Sequence, residues 1–205
     1  MDMTNQERLQ RGRKILALLG WRVDTDKLAI QATEDFQRMF NLGPALVVDG
    51  KLGPKTYAAL VICRDRKLAG KSDISEHFSV WEFKCKCGGK HETCRRIWVD
   101  RQVVQACEKI RTKIGAFTPL STCRCDRHNA AVKGYKRSQH RFGFAIDFDV
   151  PQLTARQMTA LRVADAIGVA ANGKVRHIDL RASGSPDNHP RATGDRANPY
   201  VYHYD

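Results

Sequence analysis

The sequence predicts an α+β chain, with a small three-helix domain (residues 1–70) preceding a larger one (residues 71–205) built on a small antiparallel sheet with helices. Three observations carry this. The first part of the chain repeats apolar residues at helical spacing. Beyond residue 75, helical stretches alternate with period-two stretches. No Gly-rich phosphate loop, which would signal a parallel nucleotide-binding sheet, lies between them.

Each element follows from its local pattern. Leu9, Ile15, Leu16 and Leu19 form one helical apolar face, and Ala32, Phe36, Met39 and Phe40 a second. Asp49-Gly50 supplies a turn, and Gly53-Pro54 starts a third helix with proline in its first turn. A unit this small must pack three helices around one modest core. "AGKSD", residues 69–73, is polar and aperiodic and reads as the linker. Ser79 and Glu82 have capping-box spacing and predict a short helix. In "VDRQVVQACEKIRTKIG", Val99, Val103, Val104, Cys107 and Ile110 share a face and Gly115 is the stop. "TPLSTC" reads as a strand. "AIDFDV" alternates, placing Ala145, Asp147 and Asp149 on one face and Ile146, Phe148 and Val150 on the other. "TARQMTALRVADAIGVA" reads as a further amphipathic helix. "KVRHIDLR" reads as a strand with Val175, His177, Asp179 and Arg181 on one face.

Composition narrows the function classes. The chain is 42% hydrophobic and 28% charged, as in ordinary globular proteins. No apolar run approaches the roughly 20 residues of a membrane helix. The opening "MDMTNQERLQRGRK" lacks the apolar core of a secretory signal, so synthesis as a cytosolic protein is expected. The formal net charge is +13, of which +4 falls in residues 1–70 and +9 in the rest. Such a field attracts polyanions of any kind: nucleic acid, anionic lipid or an acidic wall polymer. Neither a basic stripe interleaved with aromatics nor a finger spacing is present, which argues against nucleic acid.

"SQHRFGFAID" places His140 and Asp147 seven residues apart, and "RHID" adds His177. A catalytic zinc takes three nitrogen and oxygen ligands and keeps a fourth position for water, and this set would supply them. Asp179 would sit roughly 7 Å along the strand, within reach of a water in that position. By residue type alone these could equally be satisfied polar groups at a sheet edge.

The surrounding sequence speaks for the metal. "S-x-H-x-x-G-x-A-x-D" followed by "H-x-D", with "SEHFSVWEFKCKCG" and "STCRCDRHNAAVKG" upstream, resembles the zinc-dependent D,D- and L,D-peptidases of the M15 family over residues 75–181. The resemblance implies His140, Asp147 and His177 as zinc ligands and Ser138 as a group near the substrate. It implies Arg124 as a substrate contact that stabilises charge on the scissile carbonyl oxygen. Many relatives carry the general base three residues before the last histidine, where this chain has Lys174, a poor candidate. Asp179 is the nearest carboxylate and is assigned the base; its alternative role is to orient a ligand histidine. Asp149 is a weaker candidate for either job.

Earlier in the chain, "AIQATEDFQRMFNLGPALVVDGKLGPKTYAAL" resembles the three-helix peptidoglycan-binding module of many cell-wall hydrolases. Both resemblances imply one polymer. Together they imply a monomeric phage endolysin, made in the host cytoplasm without a signal peptide and reaching the wall after holin-type release. It would be an endopeptidase of stem peptides or cross-links, at an L-Ala-D-Glu or D-amino-acid bond. The alternatives are a D-Ala-D-Ala carboxypeptidase and a non-catalytic wall-binding virion protein. No membrane insertion and no nucleic-acid partner are expected.

Seven cysteines remain. Cys63 and Cys107 sit in helical apolar patterns and read as core residues. Cys85, Cys87, Cys94 and one of Cys123 or Cys125 could hold a second, structural zinc. Their spacing lacks paired C-x-x-C knuckles, so free thiols or disulfides formed in an oxidising wall stay open. His91 and His128 lie near enough in sequence to substitute as ligands. His77, His189 and His203 read as surface or capping groups.

Overall fold

The structure is a computed structural model, and it describes residues 3–91, 94, 97–148, 153–181 and 194–203. Three helices open the chain: α1 (Asn5–Leu19), α2 (Asp26–Met39) and α3 (Pro54–Leu68). α1 starts in a capping box between Thr4 and Glu7, and Thr25 caps α2. As expected, Pro54 stands at the first turn of α3. The buried side chain of Gln37 organises the turn before it. Its Oε1 accepts from the backbone N–H of Asp49 and Gly50, and its Nε2 donates to Asp49 Oδ1 at 2.8 Å. Leu16, Leu19, Phe36, Met39 and Leu60 fill the core between the helices, whereas Leu9 is exposed.

The three helices join the rest of the chain through one continuous apolar core. Trp21 Nε1 donates to Ile97 O at 3.2 Å, and Arg101 reaches Gly43 O at 2.7 Å. Residues 69–73 turn the chain, with Ala69, Gly70 and Lys71 exposed and Asp73 buried. The Asp73 carboxylate is buried, paired with Lys67 Nζ at 3.1 Å, and accepts from Val80 N at 2.8 Å.

Beyond this turn come a 3-10 turn (Val80–Phe83) and α4 (Arg101–Ile114). Then follow α5 (Asp126–Ala131), a second 3-10 turn (Gln139–Phe142), β1 (Ala145–Asp147) and α6 (Ala155–Ala160). β2 (Ala166–Val169), β3 (Val175–Asp179) and β4 (Tyr200–His203) complete the described elements. Ser79 and Glu82 do form the predicted capping box, and the apolar face of α4 is buried. Phe78, Phe83, Phe117 and Phe148 make a chain of ring contacts under the sheet.

The fold class is the expected α+β. The sheet has strand order β1-β3-β2-β4, and β3 pairs antiparallel with both neighbours. It departs from a wholly antiparallel sheet at its edge, where β4 runs parallel to β2. The long helix expected over residues 154–170 is a second departure. Only α6 forms, the chain turns at Arg162 with positive φ, and "AIGV" becomes strand β2. All four residues of β2 are buried, and a wholly apolar run has no polar face to set a helical period. "TPLSTC" contributes a single bridge, Ser121 to Asp147, in place of a full strand.

Candidate metal centre

Three separate pieces of chain bring the predicted ligands together. His140 lies in the turn Gln139–Phe142, Asp147 ends β1, and His177 sits in β3 directly opposite Asp147. The backbone at Gly143 makes the first of these placements possible. Gly143 has φ +78°, and a Cβ there would lie 2.4 Å from the carbonyl oxygen of Trp98. Only glycine combines that conformation with so close an approach. Its carbonyl accepts from Asp100 N at 2.9 Å, which locks the turn to the start of α4.

The hydrogen bonds fix which ring nitrogens face the centre. His140 Nδ1 lies 2.6 Å from the carbonyl oxygen of Thr122. A carbonyl can only accept, so Nδ1 carries the proton and Nε2 presents a lone pair. His177 Nε2 lies 3.1 Å from Asp179 Oδ2, so its Nδ1 is the inward nitrogen. That Nδ1 is 3.3 Å from His140 Nε2 and 2.7 Å from Asp147 Oδ1, and Asp147 Oδ1 is 3.1 Å from His140 Nε2. Two imidazole lone pairs and a carboxylate oxygen thus converge on one point, and such a set asks for a cation. The donor chemistry fits zinc: two nitrogens and one oxygen, with a cleft of about 720 Å³ opening beside them.

Without a metal a proton takes the cation's part. Burial disfavours a charged His177, but hydrogen bonds to Asp147 and Asp179 outweigh it and raise its pKa to about 9. Burial dominates at His140 and lowers its pKa, which keeps that ring neutral. Burial acts against ionised Asp147 too, yet its bonds to both histidines hold it well below the usual carboxylate range.

The remaining predicted residues surround this centre. Arg124 donates from Nη2 to Asp147 Oδ2 at 3.0 Å and to Ser121 Oγ at 3.1 Å, and its backbone N–H donates to His140 O at 2.8 Å. Ser138 stands at the start of the His140 turn and lines the cleft.

Asp179, expected as the general base or as a group that orients a ligand histidine, ends β3 and lines the cleft. It is 1% exposed, and its two oxygens accept from Arg181 Nε and Nη2, Arg181 N and His177 Nε2. Despite burial, the Arg181 and His177 bonds lower its pKa to about 2. A carboxylate so engaged is a poor proton acceptor and well placed to orient His177. Lys174, three residues before His177, precedes β3 and is not among the cleft-lining residues. Asp149 and His189 lie outside the described residues.

Sequence reasoning missed four contributors. Thr122 acts through its carbonyl, which no residue-type pattern reveals. Arg181 was on the correct strand face but carried no role. Tyr200 and Tyr202 form one wall of the cleft, stacked at 6.0 Å between ring centroids, and Arg181 lies 5.7 Å from the Tyr202 ring. Their alternation in "YVYH" was the available signal.

A second cluster lies apart from this one. The thiols of Cys85, Cys87, Cys94 and Cys125 lie within 4.8 Å of one another. Cys125, not Cys123, completes the set, and neither His91 nor His128 belongs to it. The Cys123 thiol instead donates to Phe83 O at 3.2 Å. Burial opposes ionisation of Cys87, but hydrogen bonds from Cys94, Cys85 and the backbone N–H of Gly89 and His91 lower its pKa to about 7. Cys63 and Cys107 are core residues as expected, and burial pushes both thiols up. His77 is on the surface, paired with Glu108 at 2.7 Å.

Residues 76–180 match the family model described as Peptidase M15. The chain belongs to the M15 peptidase family. As an M15 peptidase with a convergent His, Asp, His donor set, it is a zinc metallopeptidase. A comparison with curated proteins finds no match. Among the described residues of this M15 peptidase, no helix is long and apolar enough to cross a membrane.

Proposed function

We propose that this M15 peptidase hydrolyses bacterial peptidoglycan as an endopeptidase of stem peptides or cross-links, with zinc held by His140, Asp147 and His177. The observation that carries the reading is the convergence of two imidazole lone pairs and one carboxylate oxygen at the edge of an open cleft. Zinc bound there would lower the pKa of a coordinated water towards about 7 and polarise the scissile carbonyl. The chain's own groups do the rest. Asp147 offers Oδ1 to the centre while Arg124 holds Oδ2, which fixes the carboxylate's orientation. Arg124 also lines the cleft, where a planar and permanent charge suits a developing oxyanion or a substrate carboxylate. Ser138, at the same wall, addresses the peptide. Asp179 orients His177 in place of acting as the base.

The cleft's charge supports an acidic peptide substrate. Five cationic side chains line it, Arg124, Lys133, Arg137, Arg176 and Arg181, against the carboxylates of Asp147 and Asp179 alone among the described residues. Both carboxylates are already bound to arginine. Stem peptides carry free carboxylates, and the net charge of +13 steers the enzyme to an anionic wall in a salt-dependent way.

In this reading residues 1–70 bind the wall and residues 71–205 cut it. The chain acts as a monomer and as a phage endolysin, made in the host cytoplasm and released to the wall by a holin-type route. Zymography on purified cell walls, with and without a chelator, tests the activity: clearing that a chelator leaves intact would refute the zinc reading. Mass spectrometry of the digested wall identifies the bond. Release of only terminal D-alanine would replace the endopeptidase by a carboxypeptidase.

A further inference from the structure

The cysteine cluster has a geometry and a position that the peptidase reaction does not require. Four zinc–sulfur bonds of about 2.3 Å in a tetrahedron place the sulfurs about 3.8 Å apart. Cys125 Sγ and Cys87 Sγ are 3.9 Å apart, and all four sulfurs fall within 4.8 Å of one another. Cys85, Cys87 and Cys125 are buried, Cys94 is half-buried, and all four are free thiols. Backbone N–H groups point at the sulfurs: Cys125 N to Cys85 at 3.5 Å, His128 N to Cys125 at 3.4 Å, and Gly89 and His91 to Cys87. Left-handed glycines at Gly88 and Gly89 form the turn that delivers the last two. Amide donors around converging sulfurs suit thiolates that share a cation, because each N–H offsets part of the negative charge.

The cluster also grips the segment that builds the catalytic rim. Cys125 caps α5 and directly follows Arg124, which binds Asp147. Three residues before Cys125, the Thr122 carbonyl sets the His140 tautomer, and Thr122 Oγ1 donates to Phe83 O at 2.7 Å. Cys85 and Cys87 lie two and four residues after Phe83, so the thiols close a loop around this short stretch.

We propose that Cys85, Cys87, Cys94 and Cys125 hold one zinc ion, and that this ion clamps residues 121–126 so that Thr122 and Arg124 meet the His140, Asp147, His177 centre. The clamping half rests on the reading of that centre as catalytic. In the clamp Thr122 acts through His140 and Arg124 through Asp147, in addition to the substrate contact proposed for Arg124. The four thiols belong to chain segments about 40 residues apart, so the ion does the work of a disulfide without an oxidant.

Elemental analysis of the full chain purified with zinc tests the site. Wild type is expected to hold two zinc ions per chain, and Cys94→Ala one. Cys94→His restores a nitrogen ligand and is expected to return the second ion, a rescue that a packing role does not give. His140→Ala is expected to keep one ion, released by a mercurial thiol reagent. A wild-type chain with one ion that disappears in His140→Ala overturns the thiol site and leaves the peptidase reading standing. A His140→Ala chain with both ions and full hydrolysis overturns the catalytic reading and leaves the thiol site standing.

For the clamp, the affinity of the catalytic site is measured by competition with a chelator. It is expected to fall about 10- to 100-fold in Cys94→Ala and to recover in Cys94→His. Unchanged affinity in a folded Cys94→Ala chain overturns the clamp. If Cys94→Ala does not fold, the same competition on wild type after mercurial removal of one ion decides it.

Discussion

Asp179→Asn separates orientation from proton transfer at the catalytic centre. The wild-type carboxylate receives donors on both oxygens: Arg181 Nε at 2.7 Å on Oδ1, and His177 Nε2 at 3.1 Å with Arg181 Nη2 on Oδ2. Asparagine keeps the shape but offers one acceptor oxygen, so its NH2 must face donors on one side. The Arg181 guanidinium, 11% exposed, then loses part of its partner. Removing a partner from a buried ion pair costs about 3–5 kcal/mol, and an isostere that keeps one acceptor should fall below that range. His177 is held less firmly, and loss of such an outer partner weakens metal binding about 10- to 100-fold. The assay is turnover against free zinc in a metal buffer. With Asp179 as an orienting group, the midpoint shifts to higher zinc by that factor while kcat at saturation stays within a few-fold of wild type. Loss of kcat by about 100-fold or more with zinc fully bound would return the base role to Asp179 and refute the argument.

Other outcomes follow from the same geometry. His140→Ala is expected to lose the catalytic metal and activity together while circular dichroism stays native, as elemental analysis and zymography would show. Metal-free chain should lose stability as pH rises: protonated His177 contributes fully below its ordinary pKa of 6.5, and that contribution disappears through about 9. Zinc competes with the same proton, so its apparent affinity should rise up to about tenfold per pH unit towards pH 9, readable by calorimetry. Gly143→Ala puts a Cβ 2.4 Å from Trp98 O at φ +78°, and should cost several kcal/mol, more than the roughly 1–3 kcal/mol of left-handed strain alone, in denaturant unfolding. Among the described residues neither amide atom of the buried Gln139 finds a partner, so Gln139→Met should raise unfolding free energy by about 1 kcal/mol.

What the sequence could reveal follows the range of each interaction. α4 was legible because one face of Val103, Val104, Cys107 and Ile110 must find a core wherever the chain goes. The Asp49-Gly50 turn was legible because it is settled within a few residues, although the Gln37 hub that ties it down lies 12 residues away. β2 was not legible: "AIGV" is apolar at every position, and only its neighbours β3 and β4 decide that it is extended. At the site, the candidate ligands could be named from the resemblance carried by the surrounding motifs, because residue type and spacing alone left a satisfied sheet edge open. Their tautomers could not, because a backbone carbonyl at Thr122 and a side chain at Asp179 set them. The choice of Cys125 over Cys123 was not legible either: two residues apart on an extended segment they would share a face, and what separates them is the turn into α5, which Cys125 caps, and the contact of the Cys123 thiol with Phe83 O.

These two limits share a cause, and it explains how the site is built. No helix or strand holds more than one of His140, Asp147 and His177, and β1 has only three residues. A ligand on so short an element is not held by that element. It is held by contacts from outside: Thr122 on His140, Arg124 on Asp147, Asp179 on His177, and Gly143 pressed against Trp98. Two of those four, Thr122 and Arg124, lie on one stretch of six residues, 121–126, which has no regular structure before α5. Besides its backbone bonds to Asp147 and His140, it is held from outside the centre by Phe83 and by the Cys85, Cys87, Cys125 thiols. In the clamp proposed above, rigidity at the catalytic centre passes through this stretch, so loosening the thiol cluster is expected to loosen the contacts of Thr122 with His140 and of Arg124 with Asp147.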